Sequence, residues 1–349
     1  MTYRAWNLKP LDRAALRELT QAIAEQATEE LEYNAQNDEP WSEQKYAAAL
    51  AAQQKENALL AGVLTARGIT DPTEALTLLA GEEELSDPSL LTDMDKACER
   101  IWRAIDEGET IVVFGDYDVD GVTATALLYQ HLKGMGATVK CMLPSREGDG
   151  YGLSKNAIQS IHDKGCQLIV TVDNGIAAIE EAEFAASLGV DLIVTDHHLP
   201  ADVLPEAACI VNPNVKTSTF PSKSLAGCGV MYYVLLALRA ELRRRGVFTA
   251  ETQPRLDALS DLVALGTVAD VVRLDKNNRI LVAQGLGRIR RGLAAPGISA
   301  LFTVAGRDWQ KASARDIAFA VAPRINAAGR LTEMGVGIEC LLTDNPDHA

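Results

Sequence analysis

From residue 110 to about 215 the chain alternates short apolar runs with amphipathic ones. Thr110–Phe114, Thr138–Leu143, Leu168–Val172, Asp191–Thr195 and Cys209–Val211 are brief and rich in Val, Ile and Thr. Stretches of helical spacing separate them, such as Lys155–Lys164 and Ile179–Leu188. Continuously apolar strands joined by helices predict an α/β fold, a parallel sheet with helices on both faces. A helical region precedes it. Leu16, Leu19, Ile23 and Leu31 recur at helical spacing, Asn34 to Pro40 is a polar break, and Trp41–Leu60 is helical again. Thr70-Asp71-Pro72 and Asp87-Pro88 read as helix starts, with a capping residue followed by proline in the first turn. A helix over Asp93–Glu107 leads into the first strand.

Behind the strands the pattern is helical. One stretch over 225–246 opens on Gly227-Cys228-Gly229 and closes on three arginines and Gly246, which suit a helix C-terminus. The run SDLVALGTVADVV within 256–272 reads as a buried helix. Ile280–Arg290, Ile298–Val304 and the run FAVAPRINAAGRL follow. The final CLLTDNPDHA reads as the start of another helix, as in a piece of a longer protein. The expected division is a helical N-terminal extension over 1–57, a helical lead-in over 58–108 and a catalytic domain over 109–345.

Composition narrows the function. The 349 residues are 47% apolar, enough for two or three domains. No apolar run reaches the ~20 residues needed to cross a bilayer. The N-terminus is polar and lacks the apolar core of a signal peptide, so a cytoplasmic protein is expected. The six cysteines are scattered with no CxxC pair, and they read as reduced core thiols. A net charge of −15 argues against a broad basic nucleic-acid surface. It leaves room for a nuclease, in which a metal site and a few arginines neutralise phosphates locally.

The candidate chemistry lies at strand ends. In VVFGDYDVDGVTATA, the first strand ends at Gly115, Asp116, Asp118 and Asp120 follow, and a helix is expected over Val122–Leu132. Three carboxylates so close repel unless a cation sits among them. A helix cap at Asp120 would explain one of them, not three. Val172-Asp173-Asn174-Gly175 reads equally as a turn or a ligand. In Thr195-Asp196-His197-His198, neighbouring residues point differently, so one imidazole is free to ligate and the other to face substrate, with Asp196 orienting an imidazole from behind. Ligands of open α/β sheets bind beyond the carboxyl ends of the strands, so these motifs converge. Oxygen-rich donors with limited nitrogen suit Mn²⁺ or Mg²⁺ rather than structural zinc. So many aspartates call for two cations. A pair ~3.5–4 Å apart, bridged by one carboxylate, serves in-line displacement at phosphorus, so phosphodiester or phosphoanhydride hydrolysis is expected.

Taken in order, GDYDVDG, VDNG, TDHH, GTVADVV and RINAAGR resemble the DHH phosphoesterase superfamily. Within it the chain is similar, from about residue 58 to 345, to the bacterial RecJ-type single-strand-specific 5′-to-3′ exonucleases of DNA repair and recombination. The resemblance implies that Asp118 and Asp173 hold one cation, with Asp116 standing where many members place a histidine. It implies that Asp120, Asp173, His197 and Asp270 hold the other, with Asp173 as bridge and His198 on the scissile phosphate or leaving oxygen. Arg146 and Tyr151 would engage a phosphate and stack on a base. Arg324 and Asn326 would meet the DNA backbone, helped by Arg330. The implied partners are single-stranded DNA and single-strand-binding or other repair proteins, around a monomer. The family's further C-terminal domains are absent from this chain, so weak or no exonuclease activity by itself is expected. Two rival readings are a phosphodiesterase of short oligonucleotides or cyclic dinucleotides, and a non-catalytic scaffold on the same fold. Lost ligands would mark the scaffold, and every expected ligand is present.

Overall fold

The computed structural model describes residues 12–37, 42–81, 84–144, 152–331 and 335–349. The chain divides into two compact units, Met1–Glu84 and Leu85–Ala349. The first contains α1 (Arg13–Asn37), α2 (Glu43–Ala66) and α3 (Pro72–Ala80). Leu19, Ile23, Ala61, Leu64, Ile69 and Ala75 form its small core. Its caps follow the sequence pattern. Ser42 accepts the amide of Lys45 at the start of α2, and Asp71 accepts that of Glu74 just before Pro72. Helix α2 runs without a break through position 57, and the boundary between the units falls later, after Glu84.

The second unit begins with α4 (Met94–Asp106) and continues as β1 (Thr110–Phe114), α5 (Val119–Gly134), β2 (Thr138–Met142), α6 (Lys155–Asp163), β3 (Leu168–Val172), α7 (Ile179–Ser187), β4 (Asp191–Thr195) and β5 (Cys209–Val211). All strand pairs are parallel, in the order β2-β1-β3-β4-β5. Alternate side chains feed opposite layers. Ile111, Val113, Leu168 and Val170 join the core that includes α4 and α5. Val112, Phe114, Ile169 and Val194 join the one that includes α6 and α7. Both faces are thus covered, which is why the strands are apolar throughout.

Four further helices add to the larger core: α8 (Gly227–Arg244), α9 (Ser260–Ala269), α10 (Lys276–Arg290) and α11 (Pro296–Val304). A π-helical stretch, Ile317–Val321, leads into a helix over Ala322–Leu331. Helix α5 is buried along most of its length, against α8 and α9 as well as the sheet. It starts at Val119 with Asp118 as its cap, and Asp118 accepts the amide of Gly121 at 3.0 Å. The helix therefore begins three residues before the expected start, and Asp120 lies in its first turn rather than at the cap. The expected helix start at the chain's end is a single turn, in which Asn345 accepts the amide of Asp347. All six cysteines are free thiols, four of them buried and Cys141 and Cys340 half-buried. No described helix is long and apolar enough to cross a membrane.

Candidate metal centre

The strand order fixes where chemistry can gather. After β1 the chain first adds β2 on one side and then returns to place β3 on the other. The loops leaving β1 and β3 therefore part in opposite directions and open a crevice at their carboxyl ends. Asp116, Asp118 and Asp120 follow β1, Asp173 follows β3, and His197 and His198 follow β4. Asp270 arrives from the end of α9.

These side chains meet. One oxygen each from Asp116, Asp118 and Asp173 lie within 4.8 Å of one another, as do donors from Asp120, His197 and Asp270. His197 Nε2 is 3.1 Å from Asp173 Oδ1, 3.5 Å from Asp270 Oδ2 and 3.9 Å from Asp120 Oδ2. Asp173 thus touches both groups.

Several of these residues are held from behind. Both oxygens of Asp120 are bound by the first amides of α8, Gly227 N at 2.6 Å and Cys228 N at 2.9 Å. The positive end of that helix supports the buried carboxylate. Asp173 adopts the left-handed region at φ 63°, with its amide on Thr195 O. Non-glycine residues in such conformations cluster at functional sites. Asn174 Nδ2 ties the ends of β1 and β3 by donating to Phe114 O and Val172 O. Asp116 Oδ1 accepts the amide of Tyr117. The histidine loop is pinned by Asn214 Nδ2 on His197 O and Asn212 Nδ2 on His198 O.

Two glycines permit this packing. A Cβ on Gly227 would stand 2.6 Å from Asp173 Cβ. One on Gly266 would stand 2.3 Å from Thr123 Oγ1 and 2.9 Å from Asp120 Oδ1. Sequence reading named neither glycine, nor Asn212 and Asn214, as part of the site. The available signals were the Gly-Cys-Gly opening of α8 and the Asn-Pro-Asn that follows β5.

The electrostatics call for cations. Burial pushes the Asp120 carboxyl above its ordinary range. Burial, then the neighbouring Asp120 and Asp118, push Asp173 well above it. Burial and the same two neighbours raise Asp270 to about 7. Asp173 Oδ1 and His197 Nε2 are buried, lack hydrogen-bond partners and face each other. Carboxylates with one imidazole fit divalent cations with oxygen-rich shells, so the residues present suit Mn²⁺ or Mg²⁺.

His198 differs from His197. Its side chain is half exposed, and its Nδ1 lies 2.7 Å from Asp196 Oδ1. That hydrogen bond raises its pKa to about 9, so the ring is cationic at neutral pH. Burial alone would raise the Asp196 carboxyl, but the hydrogen bond and charge of His198 outweigh it and hold Asp196 below its usual value. Asp196 also accepts the amides of Ile176, His197 and His198, so it braces the whole loop. Asp196→Asn is expected to return the His198 pKa from about 9 toward the ordinary ~6.5. An NMR titration of the ring protons checks this, and a value left near 9 would contradict the pairing.

The remaining sequence candidates fall differently. Arg146, Tyr151 and the side chain of Arg330 lie outside the described residues. Arg324 is exposed, and its guanidinium donates to Ala320 O one turn back. Asn326 is half-buried on the same helix.

Comparison with known proteins places this geometry. The model of the DHH family, N-terminal domain, matches residues 110–267. The single-stranded-DNA-specific exonuclease RecJ of Escherichia coli K12 is 53% identical over 262 residues, which is 74% of this chain and 45% of that protein. The crystal structure of an exonuclease RecJ bound to manganese is 36% identical, covering 74% of this chain and 63% of that one, with a TM-score of 0.65. RecJ from Thermus thermophilus in complex with Mn²⁺ is 31% identical, covering 83% of this chain and 40% of that one, with a TM-score of 0.68. The chain spans about half the length of the curated relatives it matches. Acidic strand ends that meet at one crevice, a family model over the strands that carry them and RecJ relatives over three quarters of the sequence agree: residues 110–267 of this chain are a DHH-family N-terminal domain.

Proposed function

We propose that this chain carries the metal-dependent catalytic centre of a single-strand-specific 5′-to-3′ exonuclease. The observation that carries this reading is Asp173. Its carboxylate belongs to the group with Asp116 and Asp118 and stands 3.1 Å from His197 Nε2 of the other group, so it is placed to serve both. One group is Asp116, Asp118 and Asp173, and the other is Asp120, His197 and Asp270, which Asp173 meets through His197. Support also comes from relatives named as exonucleases and from RecJ structures bound to manganese.

When bound, two divalent cations polarise the phosphoryl oxygens and lower the pKa of the attacking water. The protein's own groups do the rest. Asp173 draws the two donor groups together. The amides of α8 hold Asp120 in place and oppose the upward push of burial on its carboxyl. His198, held through Nδ1 by Asp196, presents Nε2 as a cationic donor to the phosphate or to the leaving oxygen. Arg146 and Arg324, with Asn326 and Arg330, contact the strand's phosphates, and Tyr151 stacks on a base. The protein acts in the cytoplasm, as a monomer, in DNA repair and recombination, beside single-strand-binding proteins.

The test is incubation of the chain with 5′-labelled single-stranded DNA, duplex DNA and a cyclic dinucleotide, in Mn²⁺, Mg²⁺ or EDTA. Metal-dependent shortening of the single strand alone is expected. Cleavage of the cyclic dinucleotide without cleavage of the strand would replace this reading with that of a small-substrate phosphodiesterase.

A further inference from the structure

Val271 directly follows Asp270 and lies in the left-handed region, at φ 61°. A β-branched side chain is strained there, and the position just past a helix end is usually glycine. Burial does not explain the valine, because it is 84% exposed. Neither backbone preference nor core packing accounts for it.

Leu199 shares this character. It is 82% exposed and directly follows His198. Asp270 Oδ2 and His197 Nε2 are 3.5 Å apart, so Val271 and Leu199 sit on two chain segments that meet at the donor cluster. Val203 and Leu274 extend the same two segments with further exposed apolar surface.

We infer that Val271 and Leu199 form an apolar lip at the mouth of the metal centre, which contacts the faces of unpaired bases in a single-stranded nucleic acid. This rests on the exonuclease reading above. The occupant follows from chemistry. A phosphate drawn to the cations brings its own nucleoside with it. In a single strand the base presents an accessible apolar face, whereas in a duplex that face is stacked away. A basic lip would attract either form through phosphates. An uncharged, apolar lip favours the unpaired strand. Val271 is thus a specificity-determining residue, which accounts for an exposed valine on a strained backbone.

The test uses the whole chain in Mn²⁺ with fluorescent, cleavage-resistant phosphorothioate strands, single and duplex. Mn²⁺ titration and thermal unfolding run alongside. Val271→Gly is expected to bind the single strand about fivefold more weakly. It should hold Mn²⁺ as the wild type does and unfold ~2 °C or more higher, because glycine relieves the strain. Val271→Leu restores the apolar contact and should bind the strand as the wild type does. Unchanged binding by Val271→Gly, or a loss that only tracks lost Mn²⁺ affinity, would overturn the inference while leaving the exonuclease reading in place. A wild-type chain that shows no preference for the single strand in Mn²⁺ would remove that reading and this inference with it.

Discussion

Asp173→Ala is expected to lower metal-dependent phosphodiester cleavage by ~10³-fold or more, because it removes the carboxylate that joins Asp116 and Asp118 and also contacts His197 of the other donor group. Stability should move the other way. In the metal-free protein Asp173 is buried beside Asp120 and Asp118, and its carboxyl is pushed well up. Asp270 is raised to about 7 for the same reasons. A carboxyl whose pKa is higher folded than unfolded keeps its proton longer in the native state. Stability of the metal-free protein therefore falls as pH rises from the ordinary carboxylate range near ~4, and for Asp270 it levels off above about 7. Mn²⁺ should reverse that loss, since a cation binds the ionised native cluster and not the unfolded chain. Asp173→Ala should flatten the pH slope in EDTA and lose most of the Mn²⁺ stabilisation. Thermal midpoints across this pH range, in EDTA and in Mn²⁺, read both effects. Full cleavage by the variant would refute the bridge. An unchanged pH slope would refute the electrostatic account of the cluster.

Gly227→Ala is expected to disable the centre without touching a ligand. The new Cβ would stand 2.6 Å from Asp173 Cβ and 2.7 Å from Asp173 Oδ1. Relief requires α8 to retreat, which lengthens the two amide contacts that hold Asp120. Overpacking and weakened charge-assisted hydrogen bonds together cost about 2–4 kcal/mol. Metal-dependent activity and Mn²⁺ affinity should fall with stability. Gly229→Ala is the control. It lies in the same helix, and its Cβ would meet only Leu225 and Leu281 at 3.4 Å or more. That variant should stay within ~1 kcal/mol of the wild type and keep its activity. Denaturant unfolding and Mn²⁺ titration of the pair separate a close approach at one position from a general intolerance of side chains in α8. Equal behaviour of the two variants would refute the close-packing argument.

The legible parts of this protein share a physical cause. Strands buried on both faces must be continuously apolar, so β1, β3 and β4 announce themselves locally. Caps such as Asp71 before Pro72 act within one turn, so they too can be read from neighbours. The start of α5 could not, because the residues competing for the cap are three aspartates in a row of five. Local propensity favours each of them. The choice of Asp118 is settled only when Asp120 is drawn away to the amides of α8, more than a hundred residues later.

The same division holds at the site. The sequence by itself determined which side chains could serve as donors and that they follow strand ends, because a run of carboxylates beside buried strands has few other uses. It also determined the α/β class, since that rests on short-range periodicity. Only the tertiary structure decided the order β2-β1-β3-β4-β5, and with it which strand ends stand side by side. Only the fold decided that His197 faces the carboxylates while His198 pairs with Asp196. It alone gave Gly227, Gly266, Asn212 and Asn214 their parts, because each acts on a residue distant in sequence. Close approach and hydrogen bonding across elements leave no periodic trace along the chain, so they become visible only once the chain has folded.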